Sequence, residues 1–175
     1  MNTTAATNIE TLLDSGVIKR AAGTRSSGSG DWEKAEQLAL HYREVFGDVF
    51  YLEKSRRFRN FSLPELQKKN HILDLKNACR QDFYEGNFRA ALEKYQLALG
   101  LAEEIRDIDE TGALLGNIGA CRFYLGEFDL ALDLYQQSLS ILEEIGDLRR
   151  IGNRLGNIAS VYNDKSDYPR AIAYY

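Results

Sequence analysis

Three stretches of this chain repeat at a spacing of 40 residues, and that repetition limits the possible folds more than any other feature. Gly86, Gly126 and Ser166 occupy one column. Two residues on stand Phe88, Phe128 and Tyr168, followed by Ala91, Ala131 and Ala171. Then come Leu92, Leu132 and Ile172, and after them Tyr95, Tyr135 and Tyr175. Upstream, Leu75, Leu115 and Leu155 share a column, as do Asn77, Asn117 and Asn157. The string Leu-Gly-Asn-Ile occurs at 115–118 and again at 155–158, and Glu-Glu-Ile-x-Asp ends at Asp107 and at Asp147. Chance does not put this many columns in register. Residues 72–111, 112–151 and 152–175 are successive units, the third stopping at its 24th position.

Within each unit the apolar residues recur at helical spacing, in two runs broken at the glycine column. Gly86 and Gly126 can take the positive φ that ends a helix, and Asn87, Glu127 or Asp167 starts the next one. Ser166 stands in the third glycine position, which predicts a looser turn there. The alanine column lets the two helices approach closely, against a column of small residues made by Cys79, Gly119 and Ala159. The leucine and tyrosine columns fill the space between hairpins. One such hairpin cannot bury its apolar face alone, so the units must stack, and the fold class is all-α.

The pattern L-G-N-x-x-x-x-x-Y/F-x-x-G-x-F/Y-x-x-A-L-x-x-Y-x-x-A/S-L resembles the tetratricopeptide repeat. Its period of 40 resembles the long-repeat subtype of the Pins/LGN polarity adaptors and of many bacterial repeat proteins. The resemblance covers 72–175, or 104 of 175 positions. It implies an α-solenoid of hairpins stacked into a right-handed superhelix, with the first helix of each hairpin lining a concave face. It also implies a non-catalytic scaffold for protein–protein interaction.

Outside the repeats, the organisation is read from composition and local signals. Residues 1–30 are expected to hold a short helix over 8–20 and a Gly/Ser-rich linker from Ala21 to Gly30. Residues 31–61 are expected to form a divergent helical segment, with Asp31 as N-cap of a helix ending near Phe46 and a turn at Gly47-Asp48. The basic, aromatic stretch from Val49 to Phe61 reads as a helix whose aromatics pack inward and whose charges face water. Ser62-Leu-Pro-Glu65 opens the repeat domain, 62–175, as a capping box with Pro64 in the first turn, on a helix running to about Glu85.

Charge and chemistry narrow the function. Residues 1–71 carry 11 basic and 9 acidic side chains, residues 72–175 carry 11 and 17, and the whole chain has net charge −4. That balance excludes a dedicated nucleic-acid binder. No apolar run approaches the ~20 residues of a membrane span, and the N-terminus lacks a secretory pattern, so a cytoplasmic location is expected. Cys79 and Cys121 form no metal-spaced pair and read as small buried hydrophobes, while His41 and His71 are isolated. Adjacent acids such as Glu103-Glu104 and Glu143-Glu144 diverge by about 100° on a helix and cannot clamp one substrate. No catalytic residue, metal site or cofactor is expected, and the chain is not read as an enzyme.

The asparagine column carries the functional expectation. On the face that the resemblance makes concave, Asn77, Asn117 and Asn157 form a ladder whose amides can pair with the N–H and C=O of an extended peptide. Gly116 and Gly156 beside two of them give a ligand room. Asparagine is a mediocre helix former, so three in register ask for a reason; the competing one is that they brace neighbouring helices. Lys76 and Arg80 flank Asn77, but the third-repeat positions Asn153 and Asn157 are neutral, so a two-ended basic clamp for a terminal carboxylate is incomplete. Phe83, Tyr84, Phe123 and Tyr124 are expected to line pockets. The expected partner is a protein or peptide segment, with neither nucleic acid nor membrane. Ala171, Ile172 and Tyr175 are expected to pack on the preceding helix, and the short third repeat suggests self-association through its open end. A second reading makes the chain an N-terminal regulatory or sensor module of a larger enzyme, such as a protease, or of a transcription regulator.

Overall fold

The computed structural model describes Thr11, residues 28–46 and residues 50–175. The helix expected over 8–20, most of the Gly/Ser linker and the Gly47-Asp48 turn lie outside these residues. The described residues form eight helices and no strand. They are α1 (Gly28–Phe46), α2 (Phe50–Arg59), α3 (Leu63–Tyr84), α4 (Phe88–Glu104), α5 (Ile108–Tyr124), α6 (Phe128–Ile145), α7 (Leu148–Asp164) and α8 (Tyr168–Tyr174). The chain divides into two compact units, one ending at Leu73 and one starting at Asp74, within α3.

In the first unit α1 and α2 pack on each other. Helix α1 begins at Gly28, so Asp31 lies inside it and is not its N-cap. The first-turn amides of a helix have no intrahelical acceptor in any case, and Gly and Ser are cheap there. In α2, Phe50, Tyr51 and Leu52 are buried, with the first two rings edge to face at 5.0 Å. Arg56 faces outward and pairs with Glu36 of α1 at 3.8 Å. Lys54 departs from the expected solvated face: it is buried, with its ammonium 5.7 Å from the centre of the Phe50 ring. At the start of α3 half of the capping box forms. The Ser62 amide donates to Glu65 Oε2 at 2.7 Å, but the Ser62 hydroxyl donates to the same oxygen at 2.6 Å and does not cap the helix amide. These bonds from Ser62 hold the Glu65 carboxyl below its usual range.

The second unit is a stack of hairpins: the end of α3 with α4, α5 with α6, and α7 with α8. Gly86 and Gly126 have φ of +78° and +77°, as their column requires. Ser166 adopts the same conformation, φ +59°, and its turn is not looser. Its amide reaches the Asn163 carbonyl at 2.9 Å and the Asp167 amide reaches that of Tyr162 at 2.8 Å. The same pair closes the Gly126 turn, both at 2.9 Å. Two backbone hydrogen bonds and the Asp167 cap, which accepts from the Arg170 amide at 3.2 Å, hold a side chain in a region that disfavours one. Ser166→Gly is therefore expected to raise stability by roughly 0.5–1 kcal/mol, read by thermal or urea denaturation. A loss would show that Ser166 is unstrained.

The close approach inside each hairpin follows the predicted columns. Cys79 Sγ donates to the Ala91 carbonyl at 3.6 Å, and a Cβ on Gly119 would fall 2.7 Å from the Tyr135 ring. Ala91, Ala131 and Ala171 are all buried. Between the second and third repeats, Leu132 and Tyr135 of α6 join Ile158, Val161 and Tyr162 of α7 in one core, with Ala171 of α8. At α8 the expectation needs correction. Ala171 packs inward, but Ile172 and Tyr175 are exposed, and Tyr174 makes the inward contact by stacking on Tyr162 at 5.7 Å. Leu132 and Tyr135, the counterparts of Ile172 and Tyr175, are covered by the first helix of the next repeat, and the chain carries no such helix after α8.

Candidate functional site

Helices α5 and α7, the first helices of consecutive hairpins, touch each other directly although α6 lies between them in sequence. The first helices are thus the inner row of the stack, and their solvent face carries the asparagine column. Asn77 is exposed on α3; Asn117 on α5 and Asn157 on α7 are half-buried. Among the described residues, none of the three hydrogen-bonds a neighbouring helix, so no bracing bond uses these amides. Around Asn117 the surface of α5 is built from Ala113, Gly116 and Ala120, which keeps it low. Asn153 is exposed on α7.

The two basic residues beside Asn77 part company. Lys76 forms an ion pair with Glu110 Oε1 of α5 at 2.5 Å, and Glu110 is buried. Its charge is spent on holding the first two repeats together. Arg80, one turn on, is exposed.

The aromatics form a cluster at the turn end of the hairpins. Phe83 meets Phe88 and Tyr124 edge-on, both at 5.2 Å, and Phe88 stacks on Tyr124 at 4.7 Å. Phe123 meets Tyr124 at 5.3 Å and Phe128 at 5.7 Å. Phe83 and Phe123 are half-buried packing residues, whereas Tyr84 and Tyr124 are exposed. Tyr84 and Tyr124 stand seven residues beyond Asn77 and Asn117, two turns along the same helix face. The ladder and these two tyrosines therefore share a surface, and the two phenylalanines turn away from it.

Three charged features escaped sequence reasoning. Asp107 and Asp147 cap α5 and α7, accepting from the amides of Glu110 and Arg150 at 3.2 and 3.0 Å. The recurring Glu-Glu-Ile-x-Asp string held that signal. Arg150 joins two repeats, with Nη1 2.6 Å from Asp109 Oδ1 of α5 and Nε 3.2 Å from Asp147 Oδ2. Arg154, one turn further along α7, is only 7% exposed. Its guanidinium lies 5.2 Å from the Tyr135 ring centre and occupies the space a side chain on Gly116 would fill. Its Nε has no hydrogen-bond partner, and burial lowers its affinity for the proton.

Nothing among the described residues forms a metal-binding cluster of His, Cys, Asp and Glu. Burial pushes the Cys79 and Cys121 thiols up to about 11, so both stay protonated at neutral pH. No helix of the described residues is long and apolar enough to cross a membrane. A depression of about 310 Å³ between the second helices is lined by Leu99, Leu130 and Leu134 over Ile118, apart from the ladder.

A sequence profile of the tetratricopeptide repeat matches residues 77–144 and, in a second register, 110–175. No curated protein matches the chain. Among solved structures, the TPR domain of FLU from Arabidopsis is similar, with 21% identity and a TM-score of 0.58 over 62% of this chain and 91% of that one. Repeats of this family mediate protein–protein interactions. Periodic columns, hairpins closed at left-handed turns, an inner row of first helices and the profile match over 77–175 lead to one conclusion: the chain belongs to the tetratricopeptide repeat family.

Proposed function

We propose that residues 74–175 form a non-catalytic docking surface on which an extended segment of a partner protein lies across α3, α5 and α7. The unspent amides of Asn77, Asn117 and Asn157 carry this reading. Each offers a donor and an acceptor at once, which matches the N–H and C=O of a peptide backbone. Packed helices stand about 8–10 Å apart, close to three residues of extended chain at about 3.3 Å each. A segment crossing the stack would then present a backbone group to an asparagine at every third residue or so. Tyr84 and Tyr124 would hold apolar side chains at one edge of the track, while the alanine and glycine surface of α5 lets the ligand backbone come near.

Such bonds read the ligand's backbone with little regard to its sequence, so a library of capped 12-residue peptides is a suitable probe. Asn117→Ala is expected to weaken selected peptides by about 1 kcal/mol, roughly fivefold, with an unchanged melting temperature. Unaltered affinity combined with a lower melting temperature would return the column to a structural role.

A further inference from the structure

We propose that Arg154 is the anchor for a carboxylate of the bound segment, which makes the docking surface selective for an acidic group next to the ladder. The inference rests on the reading of the first-helix face as a docking surface.

The argument begins with what surrounds the guanidinium. A charged side chain that is 93% removed from water normally has an opposite charge beside it, because burying it alone is costly. The groups acting on the charge of Arg154 are the Tyr135 ring and Arg150, with no carboxylate among them. The acids one turn away, Asp109 and Asp147, are both engaged by Arg150. The Tyr135 face offsets part of the cost of burial, but it accepts no hydrogen bond from Nε.

Packing does not call for an arginine here. Leu114 holds the same column in the second repeat and is fully buried, so the stack accommodates an aliphatic side chain at this position. What the arginine needs is provided on α5: Gly116 has no side chain, and the guanidinium occupies that space beside Asn117. The cation is thereby brought to the ladder. On its own helix, Gly152 and Gly156 face open space, with nothing within 4 Å of where a Cβ would sit. A ligand lying over Asn117 and Asn157 passes this opening. A planar carboxylate pairs with a guanidinium fork through two parallel hydrogen bonds, a geometry a lysine cannot offer. Asn153 and Asn157 put no second cation alongside, so one carboxylate matches the site in charge.

The test uses the full chain and capped 12-residue peptides selected for binding, each made with Glu or Gln at successive positions and with a free or amidated C-terminus. In one register Glu is expected to bind about tenfold or more tightly than Gln. That preference should vanish in Arg154→Leu and persist in Arg80→Ala. A preference that follows position within the peptide identifies a side-chain carboxylate. One that disappears only on amidation identifies the chain terminus, and both sources support the site. Equal binding of Glu and Gln peptides in every register overturns the proposal while leaving the docking surface intact. Binding by no peptide overturns both. Because Leu114 shows that leucine fits, Arg154→Leu should melt no lower than the parent chain. A lower melting temperature with an unchanged Glu preference would give Arg154 a purely structural role.

Discussion

Arg150→Leu is expected to destabilise the chain by about 3–5 kcal/mol, the largest effect of any single substitution considered for this fold. Asp109 is 1% exposed and Asp147 2% exposed, and both lose their guanidinium together. The two carboxylates stay in place because each belongs to a helix start, Asp147 as the cap of α7 and Asp109 in the first turn of α5. A buried carboxylate that loses its cation bears the desolvation penalty without the compensating attraction. The double variant Arg150→Leu/Asp109→Leu is expected to recover part of the loss, because an apolar pair needs no compensation. Urea denaturation of the single and double variants measures both changes. A loss below about 1 kcal/mol for Arg150→Leu would mean that the bridge behaves like a surface ion pair.

Ile158→Ala is expected to lose roughly 2–5 kcal/mol and to change the way the chain unfolds. Ile158 is fully buried in the cluster joining Leu132 and Tyr135 of α6 to α7. Stability in a repeat stack is close to a sum over units and their nearest-neighbour interfaces. Weakening this interface should therefore release α7 and α8 while α4 and α5 remain folded. Hydrogen exchange would show it: amides in 148–174 should lose protection far more than those in 88–124. A uniform loss over both ranges would establish that the three repeats unfold as one unit.

The repeat hairpins were legible because their columns recur. Leu75, Leu115 and Leu155, or Ala91, Ala131 and Ala171, announce the same contact three times, and local rules then convert spacing into helices and turns. The positive φ of Gly86 and Gly126 follows from residue type alone. At Ser166 and Arg106, residue type points away from the left-handed conformation that both adopt. There the packing of the flanking helices outweighs a local preference of about 1–2 kcal/mol. The candidate site was legible to the extent that it is periodic. The asparagines stand on the first helices as their column suggested, and Tyr84 and Tyr124 share their face. Phe83 and Phe123 were grouped with them by adjacency in sequence, although neighbours on a helix point about 100° apart.

Charge is where periodicity fails. Lys76 reads as a free basic residue beside Asn77, yet its partner is Glu110, 34 residues away. Arg150 meets Asp109 across 41 residues. Arg154 stands in a column whose other members are Asp74 and Leu114, so no repeat pattern singles it out. The amino-acid sequence by itself determined the helices, their pairing into hairpins and the column that faces solvent, because these depend on spacing and on backbone preferences repeated in each unit. Which cations are neutralised and which one lies buried without an acid was decided only by the tertiary structure. A charge is satisfied or stranded by whatever the stack brings within a few ångströms, and that distance is a property of the packed helices.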